Sequence, residues 1–407
     1  VPRRPWKRDD AAGYTNRSAP LPRLRENARV LAWEVLFWLC VVPLVYAQLG
    51  YPLVLAALGR LRHARAAAPA PAEPPTVSLI VAAYDEEAVI ARKVGNALAL
   101  DYPRERLEVV VASDGSSDAT VQEARRAGAD RVLALARGGK IRAQDAAVAQ
   151  SRGDIVAFSD ANSTWESGAL RTLVAAFADS TVGYACGQVR FVSDPAHPGT
   201  NQEGLYWRYE MALRALESRL GSITAGNGAI YATRRESYIE VDPIMGHDLS
   251  FPFNMVKRGW RAVYVPQARA TEKMVPSIEG EFARKRRMMS HTWPIVLRGG
   301  LLSPRGYPPL YALMIASHRV LRYVAPFLHA GAFVASAVLF TTSPVYAVAF
   351  ILQIALIAAA LLAGVAPLRP LLVARYYVLT TASVAAGLWD WLRHGTPAGW
   401  EPAEGTR

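Results

Sequence analysis

The sequence predicts an α/β domain, a mixed and mostly parallel sheet flanked by helices, set between apolar helices at both ends of the chain. Three observations carry this reading. Residues 76–162 hold three short apolar runs, each ending in acidic or polar residues. Segments of helical character, 88–100 and 119–127, separate the first two runs and follow the second. The longest apolar stretches lie outside this region, at 30–58 and after Pro308. Short β-branched runs alternating with helical segments are the mark of βαβ units, and hence of buried parallel strands.

In chain order, residues 1–29 mix Arg, Pro and polar groups without periodicity and are expected to be poorly ordered. Residues 30–58 carry one charge, Glu34, and are long enough to cross about 30 Å of hydrocarbon, even with a kink at Pro43. The stretch is too long for a signal-peptide core, and no small-residue cleavage site follows it. Residues 59–75 form a stiff Ala/Pro linker. The central domain, 76–308, opens with the runs VSLIVAAYDEE (77–87), LEVVVASDGSSDAT (107–120) and DIVAFSDANS (154–163). From residue 182 onward it should build the far wall of a cleft, including a long helix that carries Trp207, Tyr209, Glu210, Glu217 and Ser218. Residues 309–323 set His318, Arg319 and Arg322 beside aliphatic groups, which suits an amphipathic helix in the interface plane as well as a tilted span with snorkelling arginines. Residues 324–392 supply about three spans, and 393–407 a tail.

The formal net charge of +12 comes without a nucleic-acid recognition motif, so no nucleic-acid partner is expected; attraction to the anionic leaflet of a lipid bilayer explains it. The positive-inside rule predicts a multi-pass protein of the cell membrane with its central domain in the cytoplasm. One conflict stands: a single span before that domain would put the arginine-rich first 29 residues outside. Either the first apolar segment is an incomplete span or the central domain overrides the tail. Cys40 and Cys186 lack metal-site spacing and read as small core residues.

In open α/β sheets, ligands sit beyond the carboxyl ends of the strands, where Asp85, Asp114 and Asp160 fall. Such ends suit a nucleotide diphosphate and a divalent cation. Asp85 and Glu86 follow the first run, and Asp114 with Gly115 the second. A carboxylate there accepts hydrogen bonds from a base N–H or a ribose hydroxyl, and the glycine lets the backbone approach closely. Capping of the helix near Ala119 is the competing use of this segment; it claims Asp118, while Asp114 goes to the nucleotide. Asp160 and Asn162 offer hard oxygen ligands to Mg²⁺ or Mn²⁺, which keep other positions for water and phosphate. Capping of a helix near Glu166 is the alternative. Gly138, Gly139 and Lys140 supply a flexible backbone and one cation.

In series, YDEE, SDGSSDAT, GGK, SDAN, GNGAIYATRR, GHD and RKRRM resemble the membrane-embedded family 2 glycosyltransferases, relatives of polysaccharide, cellulose and hyaluronan synthases. The resemblance runs over almost the whole chain. It implies a GT-A fold, a nucleotide-sugar donor (UDP-sugar above all), inverting transfer to a glycan or lipid-linked acceptor, and Mg²⁺ or Mn²⁺. It assigns Tyr84, Asp85, Glu86, Asp114, Lys140 and Asp160 to the donor nucleotide, and Asp160 with Asn162 to the metal. It makes Asp248 the general base, acting on the acceptor hydroxyl. Arg284 and Arg287 are assigned to the diphosphate. Trp207, Glu210, Gly226, His247 and Trp293 go to the acceptor side. Asp85 stands where Asn is usual, and Asn162 where Asp is. The Gln and Trp of the processive Gln-x-x-Arg-Trp motif are replaced by Arg284 and Met288, which leaves polymerisation open, as oligomeric state is. Transfer to a polyprenyl phosphate, or a non-catalytic membrane scaffold or transport protein, are the alternatives.

Overall fold

The computed structural model describes residues 21–61, 73–192, 201–273 and 278–399. The expectations for residues 1–20, for linker residues 62–72 and for the end of the tail, 400–407, lie outside the described residues. Helix α1 (Leu21–Val45) passes through one π-helical turn (Tyr46–Gly50) into α2 (Tyr51–Leu61). Pro43 cannot donate a backbone hydrogen bond, and the wider turn starts three residues after it.

The central domain is built on strands β1 (Val77–Ala83), β2 (Leu107–Asp114), β3 (Arg131–Leu135) and β4 (Ile155–Asp160), all parallel in the order β3-β2-β1-β4. Helices α3 (Glu87–Leu98), α4 (Thr120–Arg126) and α5 (Lys140–Gln150) make the crossovers. Every residue of β1 is buried, as a strand covered on both faces requires. Its alternation splits the core: Leu79 joins Leu107, Val109 and Trp165 on one face, while Ile80 joins Val110, Phe158 and Tyr231 on the other.

Beyond β4 the sheet becomes mixed, with both antiparallel and parallel pairings. Following β5 (Thr164–Trp165) and α6 (Ala169–Ala175), β6 (Val182–Val192), β7 (Ile230–Arg234) and β8 (Arg261–Lys273) complete the order β3-β2-β1-β4-β7-β6-β8-β5. The 20-residue α7 (Asn201–Leu220) and α8 (His247–Lys257) cover this half. The Asp160–Thr164 segment is thus a turn into a short strand rather than a helix cap.

Helix α9 (Ile278–Leu297) leads toward the apolar helices. There α10 (Pro309–Met314), a π-helical turn (Ile315–Val320) and α11 (Leu321–Val338) form one continuous helix, followed by α12 (Pro344–Leu362) and α13 (Arg369–His394). Among the described residues, four helices, Glu26–Leu61, Pro309–Val338, Pro344–Leu362 and Arg369–His394, are long and apolar enough to cross a membrane. Their outward side chains, Leu39, Leu49, Leu352 and Leu361 among them, are exposed, as lipid-facing surfaces are. One expectation needs correction here. His318 and Arg319 do not form a basic edge toward headgroups; both are buried, turned inward onto α7. The cause is charge pairing, described next.

Candidate active site

The sheet register pairs Ala83 with Ser113 and Ala82 with Asp160, so β1, β2 and β4 end at one edge. Tyr84, Asp85, Glu86, Asp114 and Asp160 are gathered there. Asp85 takes a left-handed backbone conformation (φ 48°), which Asp tolerates better than most residues. Its Oδ1 accepts from Ser117 N at 2.8 Å. A reciprocal pair ties the same two loops together: Glu87 N donates to Asp118 Oδ2 at 3.0 Å, and Ala119 N donates to Glu87 Oε2 at 2.9 Å. Asp118 also accepts from Thr120 N, at 2.9 Å, at the start of α4. Burial opposes its charge, but these donors hold its carboxyl below the usual value.

Asp114, 2% exposed, accepts from Gly138 N at 2.7 Å, Gly139 N at 2.9 Å and Arg137 Nη1 at 2.9 Å. Its carboxylate therefore shapes the glycine loop rather than standing free for a base. Arg137 lies 3.2 Å over the Tyr84 ring centroid, so one guanidinium links Tyr84 to Asp114. Sequence reading missed Arg137; its place one residue before the glycine pair was the available signal. At Gly115 (φ 71°) a Cβ would sit 2.8 Å from Arg137 N, so only glycine lets this loop close.

Gly139 ends the loop, and Lys140 begins α5 with its ammonium paired to Asp160 Oδ1. Burial works against the Lys140 charge, but Asp160, and beyond it Asp248 and Glu272, raise its pKa above the ordinary value. Gly228 lies across from it, where a Cβ would be 3.6 Å from Lys140 Nζ. Asp248 stands in the first turn of α8, after Gly246. Among the described residues, no hydrogen bond or ion pair holds its carboxylate, so it is not spent on capping its helix. Gly226 N donates to Asp248 O at 2.7 Å, and a Cβ at Gly226 would meet Tyr184 Oη at 2.0 Å. Gly226 is therefore a true close approach.

Four of the residues assigned to the acceptor are otherwise engaged. Trp207 Nε1 donates to Val189 O at 2.9 Å, and its ring packs edge-on against Phe191. Trp293 is buried and donates to Val384 O at 2.9 Å, locking α9 to α13. His247 stacks on Phe251 at 3.9 Å and bonds Tyr231 Oη at 2.8 Å inside an aromatic box with Phe158 and Tyr238. Burial, with the nearby charge of Lys140, pushes its pKa down to about 3, so it is neutral. Glu210 is buried at the membrane side, bound by Arg322 Nη2 at 2.6 Å and Arg319 Nη2 at 3.3 Å. Burial opposes its charge, yet Arg322, His318 and Arg319 hold its carboxyl well below the usual range. Glu217 extends the network to Tyr51 Oη at 2.7 Å and His318 Nδ1 at 2.6 Å. Carboxylates on α7 thus pull the basic residues of the 309–323 segment inward, because a buried charge needs a partner.

The predicted diphosphate arginines divide. Arg284 Nε and Nη2 donate to the Glu281 carboxylate at 2.7 and 2.8 Å. Arg287 is exposed, and its charge and that of Asp248 both reach His291. Arg286 is bidentate to Asp390 on α13, at 2.6 Å to each oxygen.

With this geometry, the comparisons decide the family. The profile described as "Glycosyltransferase like family 2" matches residues 74–290, more than half of the chain. The chain belongs to that family. It is 32% identical over 228 residues to a beta-monoglucosyldiacylglycerol synthase of Synechocystis sp., covering 51% of this chain and 46% of that protein. It is 27% identical over 230 residues to an N-acetylglucosaminyltransferase of Rhizobium sp. (strain N33), covering 52% and 51%. The chain thus spans about half the length of the curated relatives it matches. Among solved structures, a mannosyltransferase from Pyrobaculum calidifontis in complex with GDP-Man and Mn²⁺ overlays with TM-score 0.66 at 24% identity, covering 88% of this chain and 99% of that one. That likeness shows the fold, a GT-A-like mixed sheet with flanking helices and apolar helices at both ends.

The residues present fit a hard divalent cation. The Asp160 carboxylate is 20% exposed at the end of β4 beside Asn162, and a buried carboxylate oxygen nearby, Glu272 Oε1, lacks a hydrogen-bond partner. Among the described residues there is no group of three or more His, Cys, Asp or Glu side chains that would hold a metal unaided. Oxygens of a bound diphosphate would have to complete the shell.

Proposed function

We propose that this chain is an inverting glycosyltransferase that moves a sugar from a nucleotide sugar, a UDP-sugar in the first instance, to a lipid-linked or glycan acceptor at the membrane. One observation carries the reading: Lys140 is paired to Asp160 at the donor-side strand ends, and the charge of Asp248 reaches it as well. A cationic centre flanked by a metal-type carboxylate and an uncommitted carboxylate is what a displacement at a sugar carbon needs. Asp248 accepts the proton of the attacking hydroxyl, and Arg287 and Lys140 meet the negative charge of the departing diphosphate. Asp160 and Asn162 would hold a Mg²⁺ or Mn²⁺ ion, which would further neutralise that charge.

A lipid acceptor is favoured on two grounds. Tyr323, on the Pro309–Val338 helix, lies within the electrostatic reach of Asp248, so the site adjoins an apolar helix. A matching relative bears the name of a synthase of a glucosylated diacylglycerol. The positive charge of the central domain supports a cytoplasmic location for it. Domain limits remain 76–308 for the catalytic unit. The test is transfer of radiolabelled sugar from UDP- and GDP-sugars into lipid extract by the full chain in nanodiscs. A labelled, organic-soluble product supports the lipid acceptor; a labelled aqueous polymer moves the assignment to a polysaccharide synthase, and no labelled product with any donor contradicts transfer.

A further inference from the structure

Behind the Asp160–Asn162 turn lies a set of buried polar atoms that the proposed reaction has not used. The antiparallel register that pairs Thr164 with Thr271 and Trp165 with Ala270 carries Glu272 one step on, level with Ser163. Lys93 reaches the same place from α3: it is 2% exposed, and its Nζ is 5.2 Å from the Trp165 ring centroid. Lys93 Nζ, Ser163 Oγ and Glu272 Oε1 are all buried without a hydrogen-bond partner among the described residues. Three such atoms around one turn are unusual, because each unpaired buried polar group costs free energy that folding normally avoids.

The charges show what the place is suited to. Asp160 and Glu272 lie within electrostatic reach of each other, and Lys140, Arg284 and Lys93 face Glu272 as well. Lys93 in turn lies within reach of both carboxylates. Two carboxylates are thus held near each other while the nearby ammonium bonds neither through its Nζ. Hard divalent cations favour carboxylate oxygens, and Asn162 supplies only a neutral amide oxygen where a second charged ligand would bind more tightly.

We propose that Glu272 is the second carboxylate ligand of the donor's divalent cation. The inference rests on the proposed metal-dependent transfer. Asp160 and Glu272 would hold the cation, which would give Glu272 Oε1 the partner it lacks and leave Lys140 available to the diphosphate. The order of events follows: nucleotide and cation bind together, since the protein alone supplies too few ligands.

The experiment is a Mn²⁺ titration of the full chain in lipid nanodiscs, with and without saturating UDP or GDP, read by loss of the free-ion EPR signal. Wild type should hold Mn²⁺ more tightly with nucleotide than without. E272Q should lose at least about tenfold in Mn²⁺ affinity, the lower end for a disturbed metal site, with metal-free nucleotide binding unchanged. Wild-type Mn²⁺ affinity in E272Q would overturn the assignment of Glu272 alone. A wild-type protein that holds no Mn²⁺ with either nucleotide would sink the metal-dependent reading as well. Should E272Q fail to fold, the shorter E272D carries the test: reduced affinity supports the assignment, and wild-type affinity contradicts it.

Discussion

The two ends of the active site are built on different principles. On the donor side, the groups sit on consecutive strand ends and are tied by bonds between neighbouring loops, such as Asp85 to Ser117 and Asp114 to Gly138 and Gly139. On the membrane side, Glu210 and Glu217 of α7 meet Arg322 and His318 across 112 and 101 residues of sequence. The first arrangement leaves carboxylates and a lysine at a cleft edge; the second consumes every charge it brings in. Polar residues at a site's border are therefore of two kinds, those kept for a ligand and those that clamp one layer to the next.

Substitutions separate the two kinds. Asp160→Ala and Asp248→Asn should have the largest effect on turnover, about 10²–10⁴-fold for loss of the base, with unfolding temperature little changed. A destabilised Asp248→Asn would instead assign that residue to the clamp. Glu217→Ala should do the reverse, costing about 3–5 kcal/mol of stability by removing the buried carboxylate that pairs with His318 and accepts from Tyr51 and Thr224, read by thermal unfolding in nanodiscs. Unchanged stability there would erase the distinction. A smaller effect is expected from Arg287→Ala, which should lower kcat more than Arg286→Ala does, because Arg286 is committed to Asp390. Equal losses would make the run a diffuse lipid-binding patch. The subtlest contrast is in pH. His247 ionises near pH 6.5 when unfolded and only at about 3 when folded. The unfolded chain binds the extra proton in that window, so stability falls as pH drops below 6.5. His247→Gln should flatten this fall, measured as unfolding temperature against pH.

The same contrast explains what the sequence revealed. β1, β2 and β4, with Asp85, Asp114 and Asp160 at their ends, could be read because strand period and sheet direction are local properties. The mixed half was harder: β6, β7 and β8 lie between helices, and their order depends on pairings far apart in sequence. Asp114 was found in the right place and assigned to the nucleotide, since nothing local says that Arg137 and the glycine loop will bond it. His318, Arg319 and Arg322 read as a headgroup-facing edge because their amphipathic spacing is visible while their carboxylate partners on α7 are not. Trp207, Glu210, His247 and Trp293 were assigned to the acceptor by resemblance, and each is occupied by a packing or pairing task set by tertiary contacts.

The central claim is that a donor-side cation centre and an uncommitted base at Asp248 act together on a nucleotide sugar. Its most direct test is nucleotide release by the full chain in lipid, across UDP- and GDP-sugars, with Mn²⁺, with Mg²⁺ and with chelator, for wild type and Asp248→Asn side by side. Metal-dependent release from one donor by wild type, lost in Asp248→Asn while that donor still binds, is the predicted result. Equal release by both proteins, or release that chelation leaves untouched, would contradict it.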